Sequence, residues 1–254
     1  MANKKDKRSD LAVWTECDQK LPFQRYYLLI IGAPRSGTTL LASMIACHTD
    51  IGILNEDVTG KWGRKILGKR IVGNKLCVPN QIQLKKKHPL AFRFFKKVGF
   101  IAESPRSRFS IEEYLEVSNL KIIGLIRNGN DVVSSMMRRG HYNFKVALRR
   151  WGEAIDTIHE VKRRYGDRVL VLAFEDLILN PEVNMLRVCE FLGVSFQKEM
   201  LAGYQYNLKY PESKLDEEKV HRHKKESIDF QLEAKLPSAY RQYQALAQNI
   251  HRPT

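Results

Sequence analysis

The stretch from Tyr26 to Leu41, YYLLIIGAPRSGTTLL, decides the fold. Tyr27 to Ile31 is a short, uninterrupted apolar run, the pattern of a parallel strand buried on both faces. Gly32 to Gly37 turns the chain, and from Thr38 onward Leu40, Leu41, Met44 and Ile45 recur at helical spacing. The unit is therefore strand, glycine-bounded loop, helix. Gly32-Ala-Pro-Arg-Ser-Gly-Thr-Thr39 has the spacing of a phosphate-binding loop, and it sits where backbone N–H groups and a helix N-terminus can hold an anion. One residue is out of pattern. Thr38 stands where an ATP- or GTP-binding loop carries the lysine that works with Mg²⁺ on the transferred phosphate, and the nearest cation is Arg35. The loop thus argues against a nucleoside triphosphatase. It suits a nucleotide whose 5′-phosphate carries something other than further phosphates.

Working outward, Ser110-Ile-Glu-Glu113 has the form of a capping box, and Leu120 to Ile126 is a second buried strand. Asp131 can start a helix running through Met137. Ala147, Leu148, Trp151, Ile155, Ile158 and Val161 place a long helix over Phe144 to Tyr165, followed by a strand from Arg168 to Phe174. Asn180-Pro181 opens a helix that reaches Leu192 before Gly193 stops it. Strands alternating with helices predict an α/β, P-loop-like, three-layer fold with a central parallel sheet flanked by helices, plus a basic insertion. With no internal repeat and no low-complexity linker, residues 1–254 read as a single domain. Its nucleotide-binding core is about 26–57 and 120–194, a substrate-side insertion covers about 58–109, and a mobile loop covers about 212–227.

Composition narrows the function classes. The chain has 254 residues, 43% hydrophobic and 28% charged, which excludes fibrous and disordered classes. No apolar run is long enough to span a bilayer, and the opening MANKKDKRSD is followed by no apolar core of a secretory signal, so a cytoplasmic protein without a transmembrane segment is expected. Cys17, Cys47, Cys77 and Cys189 lie far apart, with no companion histidines at zinc-ligand spacing; neither a metal site nor a disulfide framework is expected. The net charge of +15 fits a nucleic acid, an anionic membrane surface or an anionic cofactor and substrate. No carboxylate occurs between Asp57 and Glu103, whereas lysines and arginines crowd residues 61–97, so that segment points to an anionic substrate or a membrane surface. It carries no helix-turn-helix, zinc or RNA-binding signature, and nucleic acid is not an expected partner.

Pro34-Arg-Ser-Gly-Thr-Thr39 after an apolar strand resembles the 5′-phosphosulfate loop of sulfotransferases that use 3′-phosphoadenosine 5′-phosphosulfate (PAPS) and release adenosine 3′,5′-bisphosphate (PAP). The second signature of that family, a strand followed by Arg and, eight residues on, Ser, resembles Ile122 to Ser135, with Arg127 and Ser135 in those places. Both side chains can face the crevice at a sheet's switch point, where a guanidinium and a hydroxyl hold a phosphate. Phe174-Glu-Asp-Leu177 and Phe191-Leu-Gly-Val194 resemble a third, later element of the fold. The resemblance implies that Arg35, Ser36, Gly37, Thr38, Thr39, Arg127 and Ser135 bind the nucleotide and that no metal takes part. Departures are Gly129 in place of a frequent proline, Phe174 in place of tyrosine, and the absence of the C-terminal Arg-Lys-Gly segment of the hormone and xenobiotic enzymes. The chain is thereby similar to the carbohydrate, lipid and tyrosyl-protein branches. Lys214, Lys219, Arg222, Lys224 and Lys225 are all candidates to complete the 3′-phosphate site.

Sulfuryl transfer needs in-line attack, a base for the acceptor hydroxyl and cations over the developing charge. Glu56 lies as far beyond Arg35 as the catalytic glutamate does in tyrosyl-protein sulfotransferases, after a short strand predicted at Ile51 to Leu54, and the resemblance makes it the general base. Asp57 is its nearest rival. His48, in a helix-ending turn, is the other candidate considered, and a structural role is its favoured reading. Lys75 resembles the lysine that many members aim at the sulfonyl or bridging oxygens; the plainer reading is a solvated ammonium. The expected acceptor is a hydroxyl on a carbohydrate, lipid or small molecule, anionic in one version, with protein tyrosine as the alternative. A P-loop kinase and a nucleic-acid-binding module remain the readings from other classes.

Overall fold

The computed structural model describes residues 24–85, 106–140, 142–206, 215 and 217–250. Five parallel strands, β1 (Tyr26–Gly32), β2 (Ile51–Asn55), β3 (Ile71–Cys77), β4 (Leu120–Ile126) and β5 (Val169–Ala173), form one sheet in the order β2-β3-β1-β4-β5. In β1 alternate side chains enter opposite layers. Tyr27, Leu29 and Ile31 join one buried cluster, and Leu28 and Ile30 join the other. A central strand buried on both faces must be apolar throughout, which is why its sequence carries no alternation.

The first layer is built around α5 (Phe144–Tyr165) with α10 (Pro237–Ile250). The Asn143 side chain caps α5 by accepting from Val146 N at 3.0 Å, and Trp151, Ile155, Ile158 and Val161 bury the inner stripe. Lys162, Arg163 and Arg164 occupy the last turn, where cations complement the helix dipole. Gly124 of β4 lets this helix approach, because a Cβ there would meet Ile158 Cγ2 at 2.8 Å. The opposite layer holds α1 (Thr38–Ala46), α6 (Phe174–Leu179) and α7 (Pro181–Leu192), with Leu41, Met44, Met185 and Val188 buried against the sheet. Each fully buried side chain of this size contributes about 1.5–3 kcal/mol. A capping box at Ser110 and Glu113 opens α3 (Ile111–Leu115), with both reciprocal bonds formed.

The chain leaves β1 toward the α1 layer and leaves β4 toward the α5 layer, so the crevice beyond the C-terminal ends of these neighbouring strands is a topological switch point. Two sequence expectations are corrected. Residues 58–109 are not wholly an insertion, since Ile71–Cys77 within them is β3, an interior strand between β2 and β1. Its buried polar pair, Asn74 and Lys75, breaks the apolar run by which a strand is recognised. The strand expected to run to Phe174 ends at Ala173, and Phe174 starts α6. Of the loop at 212–227, positions 212–214 and 216 lie outside the described residues; its described part holds α8 (Arg222–Lys225) and is hydrogen-bonded to the switch point. Of the basic run at 61–97, residues 86–97 likewise lie outside them. Among the described residues, no helix is long and apolar enough to cross a membrane and no group of three or more His, Cys, Asp or Glu can hold a metal ion. Cys47 and Cys189 are free thiols, and Cys17 lies outside the described residues.

Candidate active site

The loop after β1 is shaped by its own backbone. Ser36 donates both its amide and its hydroxyl to the Ala33 carbonyl, at 3.1 and 2.7 Å, and Arg35 takes a left-handed φ of 73°. Gly37 is the N-cap of α1 with φ 95°, and a Cβ there would come within 2.4 Å of the Phe174 ring. Glycine is required at this position for both reasons. Leu41 N is the first amide of the helix to reach back, to Gly37 O at 3.1 Å; the N–H groups of Thr38, Thr39 and Leu40 precede it as an anion-binding terminus. Thr38 is buried and Thr39 partly exposed.

Arg127, leaving the end of β4, is tied to this loop. It donates to the carbonyls of Arg35 at 3.2 Å and Lys219 at 2.9 Å, and its guanidinium lies 4.1 Å from the centroid of the Phe174 ring. Its Nε is buried without a hydrogen-bond partner, and Asp131 stands 4.0 Å from Nη2. Burial lowers the Arg127 pKa from its usual value, with Asp131 and Glu175 opposing and Arg35 and Arg138 assisting. Ser135, on α4 (Gly129–Arg138), accepts from Arg35 Nε at 3.2 Å. The structure thus brings Arg35, Arg127 and Ser135 together at the switch point. A buried guanidinium with an orphaned Nε, beside a lysine-free loop that opens onto a helix N-terminus, has donors suited to two separate phosphates.

Two further residues hold this end, neither of them assigned a role of its own from sequence. The Phe174 ring lies against Gly37 and against Arg127, joining the two loops. Glu175 accepts from Asn128 N at 2.9 Å, and its burial raises its carboxyl pKa against the pull of that bond and of Arg127. The Phe-Glu-Asp-Leu stretch was the available signal for both. Among the basic candidates of the C-terminal stretch, Lys219 supplies its carbonyl to Arg127, and Arg222 pairs with Glu226 at 2.5 Å. Lys224 and Lys225 are exposed, and Lys214 lies outside the described residues. His223, buried, donates its amide to Asp131 at 2.7 Å and pins this stretch to α4.

Glu56 and Lys75 meet two strands away. Glu56 follows β2 with φ 63°, and its amide donates to Lys75 O at 2.9 Å. Lys75 Nζ donates to Glu56 Oε1 at 2.6 Å; the lysine side chain is 1% exposed and the glutamate 26%. The solvated-ammonium reading of Lys75 is overturned, because β3 runs through the interior of the sheet and the ammonium is held by its partner. Asp57 is engaged elsewhere. Burial pushes its carboxyl up, but hydrogen bonds from Lys65 and Thr59 outweigh this and hold it below its usual range. His48 is buried at the far end of α1, about 13 Å along the helix from the loop. Its Nδ1 accepts from Asp50 N at 3.0 Å, so Nε2 carries the proton and donates to Ser195 O at 2.9 Å. Both nitrogens close a turn, and neither reaches the crevice.

Residues 26–239 match the family model of the sulfotransferase domain. The chain belongs to that family. A protein-tyrosine sulfotransferase of Drosophila melanogaster is 23% identical over 200 residues, covering 68% of this chain and 39% of the relative. Protein-tyrosine sulfotransferase 2 of Gallus gallus is 25% identical over 199 residues, covering 68% and 53%. The chain therefore spans about half the length, or less, of these curated relatives. Among solved structures, the sulfotransferase domain from the curacin biosynthetic pathway superposes with a TM-score of 0.59 at 16% identity, covering 91% of this chain and 99% of that one. Mouse sulfotransferase SULT7A1 complexed with PAP gives 0.55 at 13% identity and 94% of each chain. At these identities the structural likeness speaks for the family's α/β fold.

Proposed function

We propose that this protein is a PAPS-dependent sulfotransferase that moves a sulfuryl group to an acceptor hydroxyl by in-line attack. The observation that carries the reading is the lysine-free phosphate loop cross-braced to Arg127 and Ser135, in a chain of the sulfotransferase domain family. Gly37, Thr38 and Thr39 would hold the 5′-phosphate end through backbone N–H groups, with Ser36 shaping the loop through its bonds to Ala33 and Arg35 beside them, and Arg127 with Ser135 would hold the 3′-phosphate. PAPS bound there supplies the sulfuryl group and the PAP leaving group. Glu56 takes the acceptor proton, and Lys75, released from Glu56 as that carboxylate is protonated, turns its ammonium toward developing negative charge. No metal is required in this scheme, because Arg35, Lys75 and the loop amides supply the positive charge.

The whole of 1–254 is read as a single domain, its core about 26–57 and 120–194 now joined by β3. The acceptor is a hydroxyl compound; the protein-tyrosine sulfotransferases among the relatives favour tyrosine as the second reading. The acid-free run at 61–97 supports an anionic acceptor over nucleic acid. The free thiols of Cys47 and Cys189 suit a reducing, cytoplasmic setting. Calorimetric titration with PAP, AMP and ATP in EDTA tests the reading: PAP binds tightest without Mg²⁺. Tighter ATP binding that requires Mg²⁺ would restore the kinase alternative.

A further inference from the structure

Arg150, in the second turn of α5, has no part in the nucleotide site. Its Nη1 donates to the Tyr142 hydroxyl at 3.0 Å and also to Asn80 Oδ1, and its guanidinium lies 4.3 Å from the centroid of the Tyr142 ring. Asn80 Nδ2 in turn donates to the same hydroxyl at 3.0 Å. One corner of a half-buried guanidinium is therefore fixed by neutral partners, while among the described residues no carboxylate is within ion-pair distance and Nε and Nη2 have no hydrogen bond. Burial lowers its pKa; Tyr142 and Glu153 oppose this, whereas Arg149 and Arg106 crowd it with like charge. A stacked, pre-oriented guanidinium of this kind is matched by a planar or tetrahedral anion.

Its place is the acceptor side of the sheet edge. Asn80 follows β3, and Val78 N donates to Gly32 O at 2.9 Å, which sets this turn against the start of the phosphate loop. From there Ser107 N donates to Gln81 O at 2.6 Å, and Arg108 N donates to Val58 O at 2.9 Å, just beyond Glu56. The segment at 106–108 so bridges the Asn80 turn to the Glu56 turn.

We propose that Arg150, seated on Tyr142 and Asn80, binds a carboxylate, sulfate or phosphate ester already present on the acceptor. This rests on the sulfotransferase reading and names a substrate class for it: hydroxyl compounds that carry a fixed negative charge. Protein saturated with PAP is titrated by ligand-observed NMR with two matched pairs, galacturonate against galactose and 4-hydroxyphenylacetate against 4-ethylphenol. In at least one pair the acid binds about tenfold tighter or more. Arg150→Gln and Arg150→Lys each reduce that ratio below about threefold, with PAP affinity and Tm retained, since lysine keeps the charge but not the fork. No preference for the acid in either pair, or a preference that survives in both variants, overturns the proposal. Failure of the unaltered protein to bind PAP breaks the nucleotide-site reading instead.

Discussion

The two ends of the sheet edge are held together differently. At the β1/β4 end, Arg127 is fixed by main-chain carbonyls, and Ser36 is folded back onto the main chain of its own loop. At the β2/β3 end, the central contact joins two side chains, Lys75 and Glu56, each neutralising the other. Main-chain bracing gives a rigid receptor for an invariant group. A side-chain ion pair can be remade when a reacting group arrives, at the cost of keeping an ammonium buried meanwhile. On the proposed reading, the contrast separates a binding end from a reacting end.

The strongest attempt to break this contrast is Glu56→Gln. Turnover falls by about 10²–10⁴, the usual share of a general base, while PAP affinity holds. Single-turnover kinetics retaining more than about a tenth of the rate would remove Glu56 from the role. At the other end, Arg127→Ala weakens PAP by about 10- to 100-fold and AMP far less, since only PAP carries the 3′-phosphate. Equal losses for both nucleotides in calorimetry would show that Arg127 merely holds the loop. Gly37→Ala forces a side chain into a left-handed backbone and the Phe174 ring, and thermal unfolding registers about 1–3 kcal/mol. His48→Ala lowers stability by roughly 1 kcal/mol and leaves turnover unchanged; a folded but inactive variant would return the base to His48.

The smallest effect is on acid stability at Asp57. Its folded pKa is depressed, so its stabilisation is present at neutral pH and fades as pH falls from about 5 through the lowered value. Asp57→Asn should flatten urea midpoints across that window, and an unchanged slope would mean that the Lys65 contact contributes nothing.

The β1/β4 end was legible because its chemistry is local. Gly32 to Thr39 and Ile122 to Ser135 are continuous stretches whose spacing alone states strand, turn and helix. The acceptor end depends on distant partners. Nothing around Lys75 announces that it pairs with Glu56 across parallel strands, and the same buried polar residues hid β3 inside an apparent insertion. Arg150, Asn80 and Tyr142 come from three separate segments, and no single stretch of sequence carries their meeting. His48 illustrates the converse, since proximity to the loop in sequence became distance once α1 carried it to the opposite edge.

Phe174 has a thermodynamic consequence. One ring touches both the turn proposed to hold the 5′ end and the guanidinium proposed to hold the 3′ end. Occupation of either end stiffens a surface the other end leans on, so the two halves of the nucleotide report to each other through a hydrocarbon plate. Free energies measured for fragments will then fail to sum to that of the intact ligand, and variants at Gly37 and Arg127 will fail to add in a double-mutant cycle. With the ring cut back to alanine, the cooperativity between the two phosphates disappears.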